Sequence, residues 1–192
     1  MRYGLKSVTM DDIAREIKIS KKTLYKYVSD KNDLLCRVME GHCAVENMVT
    51  DQICATSSNA IDEIIGIGKH VSSQLKTMHP SIHYDMEKYY PEVWKIFENH
   101  KGGHIYQCVM NNLERGIKEG LYRDNLNVRV IAKLYLSKID LVFDSSVFPV
   151  NEFNFAEVYM ELIRYHIRGV ASEMGLKYLK EEVKIEDLNF YK

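Results

Sequence analysis

Three prolines, ten glycines and one tryptophan in 192 residues leave no material for a collagen-like or low-complexity chain. No apolar run approaches the ~20 residues that span a bilayer. The first residues show no basic-then-apolar leader pattern, so the expectation is a cytoplasmic protein without a membrane partner. No Cys-x-x-Cys occurs, and Cys36, Cys43, Cys54 and Cys108 read as reduced, packed thiols. Catalytic signatures are equally scarce. Gly102-Gly103 has neither the spacing nor the lysine of a phosphate loop, and no Gly-x-Ser-x-Gly nucleophile turn occurs. An enzyme is not expected, and neither is a cofactor. A net charge of -1 argues against a general polyanion binder. Its distribution says more, with residues 1–40 at +3 and the remainder at -4. That suits a protein touching nucleic acid with one end only.

What is present begins with residues 8–35, VTMDDIAREIKISKKTLYKYVSDKNDLL. Thr9 is placed to cap a helix, with Asp11 and Asp12 in the first turn, where carboxylates suit the positive helix end. Ile13, Ala14 and Ile17 fall on one face. Ser20 offers a second cap. The next segment is expected to form about two turns (~12 Å) that bury Leu24, Tyr27 and Val28. Lys21, Lys22, Thr23, Tyr25 and Lys26 remain on the opposite side. Ser29 is expected to cap a third helix, with Leu34, Leu35 and Val38 inside. Two short helices about a tight turn make a helix-turn-helix, whose second helix enters the DNA major groove. Ammonium groups there suit phosphates, and a hydroxyl and a phenol suit phosphates or base edges. The backbone N–H groups from Ser20 to Lys22 can add a phosphate contact.

In unbroken order, VTMDDIAREI, ISKKTLYKYV and SDKNDLL resemble the TetR family of bacterial transcriptional regulators. The resemblance implies that Lys21, Lys22, Thr23, Tyr25 and Lys26 face DNA, and that Thr9 and Lys31 touch flanking phosphates. Three departures stand out. Lys18 occupies a turn position where the family often has glycine, Val28 replaces a usual phenylalanine, and Met1-Arg2-Tyr3-Gly4-Leu5 matches only the end of the family's preceding helix.

Strand patterns are scarce, so the chain reads as all-α, with a helix-turn-helix head over residues 1–45 and a body over 46–192. The third helix is expected to reach about Asn47. Helices are expected at Ala60–Met78, Ile82–Tyr89 and Glu92–His100. A break at Gly102-Gly103 then precedes another at His104–Glu119, stopped by Gly120. Val128–Asp144 is apolar around most of its circumference, and Phe155–Val170 follows the i, i+3, i+4, i+7 pattern. After Met174 a polar tail is expected. Two such helices from each of two subunits would close a four-helix bundle, and the family resemblance likewise implies dimerisation through the last two long helices. The expected interface is Tyr135, Ile139, Val142, Phe143, Phe155, Tyr159, Leu162, Ile163, His166 and Val170.

The broken, aromatic segment Tyr84–Phe97 suggests a small-molecule cavity, with Tyr84, Met86, Tyr89, Tyr90, Trp94 and Phe97 near its mouth. Tyr106, Met110 and Tyr135 are assigned to its far wall. The pairs His79/His83 and His104/Cys108 have metal-ligand spacing but no visible third ligand, so no metal is expected. The function expected is a homodimeric regulator, a repressor that binds a palindromic operator and is released by a small-molecule effector. The same ancestry would also serve a helical ligand-binding dimer without a DNA role.

Overall fold

A computed structural model describes residues 4–181, so Met1 to Tyr3 and residues 182–192 lie outside the description. The elements are α1 (Met10–Glu16), α2 (Lys21–Leu24), α3 (Lys31–Thr56), α4 (Ala60–Leu75), α5 (Ile82–Tyr89) and α6 (Pro91–His100). A π-helical turn (Lys101–Ile105) leads into α7 (Tyr106–Lys118), followed by α8 (Val128–Val142), α9 (Phe155–Val170) and α10 (Glu173–Glu181). Among the described residues no strand forms; a single bridge joins Tyr122 and Ala171. The all-α expectation holds.

Each head helix starts on a side-chain cap. The Thr9 hydroxyl accepts from the Asp12 backbone N–H at 3.2 Å, and the Thr9 N–H donates to the Asp12 carboxylate at 3.0 Å, a reciprocal capping box. Ser20 accepts from Thr23 N–H at 3.0 Å. The third cap is Asp30, which accepts from Asp33 N–H at 2.9 Å, rather than the expected Ser29. Met10, Ala14, Leu24 and Val28 close a small core between these helices. Ile17 and Tyr27, both expected inside, are exposed at 52% and 70%. The cause is local. After Leu24 the chain tightens into i→i+3 bonds, Lys26 N–H to Thr23 O and Tyr27 N–H to Leu24 O, which swing Tyr27 outward. Val38, expected inside α3, is also exposed.

Two further differences shape the body. First, α3 runs nine residues past Asn47, to Thr56, so one rod leaves the head and crosses the body. Second, Gly102-Gly103 does not break the chain. It lies within the π turn, and α6 continues through it into α7. The extra residue of a π turn rotates the helix, and it carries the buried Lys101 ammonium onto Asp140 of α8 at 2.6 Å. Both glycines face open space, so nothing forces a kink. Gly120, at φ +75, ends α7 as expected, in a conformation suited to glycine. The polar tail expected after Met174 instead forms α10 as far as Glu181.

The main core packs α4 against α9, with α7 and α8 alongside. Ile61, Ile64 and Ile65 meet Tyr159, Ile163 and Ile167 there, each buried aliphatic contributing roughly 1.5–3 kcal/mol. Gly68 lets α4 approach closely, since a Cβ there would meet Ile163 Cγ1 at 3.2 Å. A buried polar network pins the start of α4. Glu63 accepts from Asn112 at 2.9 Å and from Arg115 at 2.8 Å, while Tyr122 donates to Asn112 at 3.0 Å.

Candidate functional site

The head presents α2 and its trailing turn outward. Lys22, Tyr25 and Lys26 are exposed, Thr23 is half-buried, and Tyr27 adds a second phenol that helical spacing had assigned to the core. Lys21 is exposed but paired with Asp11 at 2.8 Å. A solvent-facing pair of this kind is weak and screened by water, so its ammonium can exchange onto a phosphate. Thr9 and Ser20 are occupied differently. Their hydroxyls cap α1 and α2, and they order the surface rather than offering free donors. Lys31 is turned inward: its ammonium donates to the carbonyls of Leu5 and Val8, both at 2.5 Å. It ties the segment entering the head to α3, which occupies the ammonium that was expected on a flanking phosphate.

In the body, a cavity of about 200 Å³ opens between α3, α4, α6, the π turn and α8. One wall is polar and built from three i, i+4 ladders. These are His42, Glu46 and Thr50 on α3, Gln74 with its neighbour His70 on α4, and His100, His104 and Cys108 along α6, the π turn and α7. Glu46 accepts from Gln74 at 2.6 Å and sits 3.0 Å from His70 Nε2. His100 meets Asn47 at 2.7 Å, and Thr50 meets His104 Nε2 at 3.0 Å. Burial, then the neighbouring His104 and His42, holds His100 below the ordinary imidazole range. The opposite wall is apolar, with Ile64, Val71, Leu75, Ile105, Ile139 and Phe143. At its end the buried Tyr135 and Tyr159 hydroxyls lie 3.2 Å apart.

Of the nine residues expected around an effector, only Phe97 and Tyr135 line this cavity. Met86 is buried with Leu5, Leu35, Ile82 and Val93, and Tyr90 packs against that cluster. Tyr84 and Tyr89 are exposed and stack edge-on at 6.2 Å. Trp94 and Tyr84 instead border a more open cleft with His83, Glu98 and Asp140. Met110 and Tyr106 pack against the main core, and Tyr106 also lies under Lys133. Rings in this segment pack on one another, as Trp94 does on Phe97 at 5.4 Å.

The interface expectation also changes. Tyr135, Ile139, Val142, Phe155, Tyr159, Ile163, His166 and Val170 are all buried within one chain, and Phe143 and Leu162 partly so. A second stripe lies nearer the surface on each helix: the exposed Val130, Leu134, Ser137 and Leu141 on α8, and the half-buried Val158 and Leu162 with the exposed Tyr165 and Gly169 on α9. Both stripes follow i, i+4, i+7, i+11, and Leu141, Val158, Leu162 and Tyr165 line one shallow groove. Among the described residues, no helix is long and apolar enough to cross a membrane.

Residues 1–38 match the family model described as "Bacterial regulatory proteins, tetR family". An uncharacterized HTH-type transcriptional regulator, YvaF, of Bacillus subtilis (strain 168) is 21% identical over 170 residues, 87% of each chain. A transcriptional regulator from Cytophaga hutchinsonii ATCC 33406 shares the fold with a TM-score of 0.72 at 19% identity, over 89% of this chain and 92% of that one. FadR from Bacillus subtilis, solved in complex with stearoyl-CoA, superposes with a TM-score of 0.68 at 15% identity, over 86% and 90%. The capped helix-turn-helix of this chain is thus similar to the tetR-family model, and the chain shares its whole fold with solved transcriptional regulators.

Proposed function

We propose that this chain is a tetR-family regulator that acts as a homodimeric repressor, released from a palindromic operator by a small molecule bound in the body cavity. The observation that carries the reading is α3, one uninterrupted helix that begins against the head and lines the cavity with His42, Glu46 and Thr50. A ligand that favours one position of α3 thereby favours one position of the head. It shifts the equilibrium only by its difference in affinity for the two positions. Lys22, Thr23, Tyr25, Lys26 and Tyr27 supply the DNA face, with Lys21 joining once released from Asp11. The outward stripes of α8 and α9 supply the dimer seam.

Cavity size and lining favour a small amphipathic effector. Its volume of about 200 Å³ is below the roughly 300–1,000 Å³ of drug-sized sites. A hydrogen-bonding head group would sit on the His/Glu/Gln wall and an apolar end against Ile139 and Phe143.

The test is fluorescence anisotropy with the chain's own upstream DNA and with random DNA, across a salt series. Wild type should prefer its upstream DNA. Lys26→Ala should weaken both and flatten the salt slope by about one ion per site. Equal affinity for both DNAs would sink the operator reading, and an unchanged slope would remove Lys26 from the phosphate contacts.

A further inference from the structure

We infer that Asp51, His104 and Cys108 form a binding site for a divalent transition-metal ion of the zinc class, joining α3 to the π turn and α7. Their ligand atoms all lie within 4.8 Å of one another. His104 Nε2 is central, 3.4 Å from Cys108 Sγ and 3.6 Å from Asp51 Oδ1. A tetrahedral ion with ordinary Zn–N, Zn–S and Zn–O bonds sets these edges at about 3.5 and about 3.3 Å. The two edges that meet at His104 therefore match what an ion would require to within a few tenths of an ångström, and the Asp51–Cys108 edge, within 4.8 Å, can close by movement of the exposed Asp51 side chain.

The surroundings hold the imidazole in place. His104 stacks nearly parallel on His100, with ring centroids 5.8 Å apart and planes at 7°. Thr50, whose hydroxyl is anchored to the carbonyls of Glu46 and Asn47, also sits against Nε2. An ion would displace that contact. One carboxylate, one imidazole and one thiolate select zinc-like ions over magnesium or calcium, which take oxygen ligands. Three protein ligands leave a fourth position. Since His104 and Cys108 line the cavity, that position is open to water or to a cavity ligand, as in sites with exchangeable coordination. Cys54, near Cys108, lies outside the three-atom group. A thiol gives up its proton to solvent as the metal–sulfur bond forms.

The site stands or falls independently of DNA binding, because its test reads the metal directly. The reduced full-length chain is titrated with Co²⁺, which reports thiolate ligation through a near-ultraviolet charge-transfer band. One Co²⁺ per protomer should bind with that band, and Zn²⁺ but not Mg²⁺ should displace it. Cys108→Ser should abolish the band. Asp51→Asn, at a side chain 68% exposed and so without consequence for folding, should keep the band and weaken binding about tenfold or more. Cys36→Ser, in a separate cluster, should change nothing. Absence of the band at stoichiometric Co²⁺, its survival in Cys108→Ser, or unaltered affinity in Asp51→Asn would each overturn the assignment.

Discussion

Lys18 holds the turn of the head at φ +58, the left-handed region that a side chain with a Cβ enters at a cost of about 1–2 kcal/mol. Its backbone is bracketed by Lys18 N–H to Arg15 O and Ile19 N–H to Ala14 O, so the conformation is imposed by the turn. Lys18→Gly should relieve that cost and return part of it through greater freedom of the unfolded chain, a net gain of about 1 kcal/mol. Urea unfolding should show a higher midpoint with the same slope; an unchanged or lower midpoint would mean the lysine makes a compensating contact. This position was legible from the sequence because the motif fixes where the turn falls. Tyr27 and Lys31 were not. Helical spacing assumes that α2 continues, whereas it stops at Leu24 and the next bonds are tighter. The Lys31 ammonium finds carbonyls of Leu5 and Val8, more than 20 residues earlier, which no local pattern specifies.

At the scale of elements, periodicity revealed which helices are amphipathic but not which neighbour each face meets. The strong stripes of α8 and α9 were assigned to a partner subunit, and they fill the chain's own core against α4. The weaker stripes, with Val130 at 50%, Leu134 at 49%, Leu141 at 42% and Tyr165 at 69% exposure, remain on the surface, where the proposed partner would pack. Placing charge on them should separate the subunits without disturbing the core. Leu134→Glu combined with Leu141→Glu should convert a dimer to a monomer in sedimentation velocity at micromolar concentration, with helical content unchanged. A wild-type monomer, or a double variant that stays dimeric, would remove these helices from the interface. The cavity was missed for a related reason. Each polar ladder is visible in the sequence, as His42/Glu46, His70/Gln74 and His100/His104/Cys108. Their convergence depends on α3 reaching Thr56 and on helix continuing through Gly102-Gly103, both of which local glycine and polarity signals argued against.

For the molecule as a whole, two histidines embedded in apolar surroundings set the acid limit of stability. His83 lies between Trp94, at 4.7 Å, and Phe143, at 4.6 Å, with Asp140, Glu98 and Lys101 as the nearest charges. His166 packs edge-on against Tyr135 at 4.8 Å, with Lys138 nearby. Burial lowers both to about 4, and Lys138 adds to the effect at His166. An unfolded chain protonates its histidines near 6.5, so between pH 6.5 and 4 the unfolded state binds more protons. Stability therefore falls as pH drops through that window and is fully present above it, with a loss on the order of 3 kcal/mol per histidine. Against a total of roughly 5–15 kcal/mol, losing both is enough to bring the chain near unfolding by pH 4. Carboxylates also titrate in this range, and replacing one imidazole separates the two contributions. His166→Phe keeps a flat ring against Tyr135 and removes the proton-binding group. Its unfolding free energy, followed by urea denaturation at stepped pH, should decline less steeply from pH 6.5 to 4 than that of wild type. Parallel declines would mean that His166 does not govern acid stability.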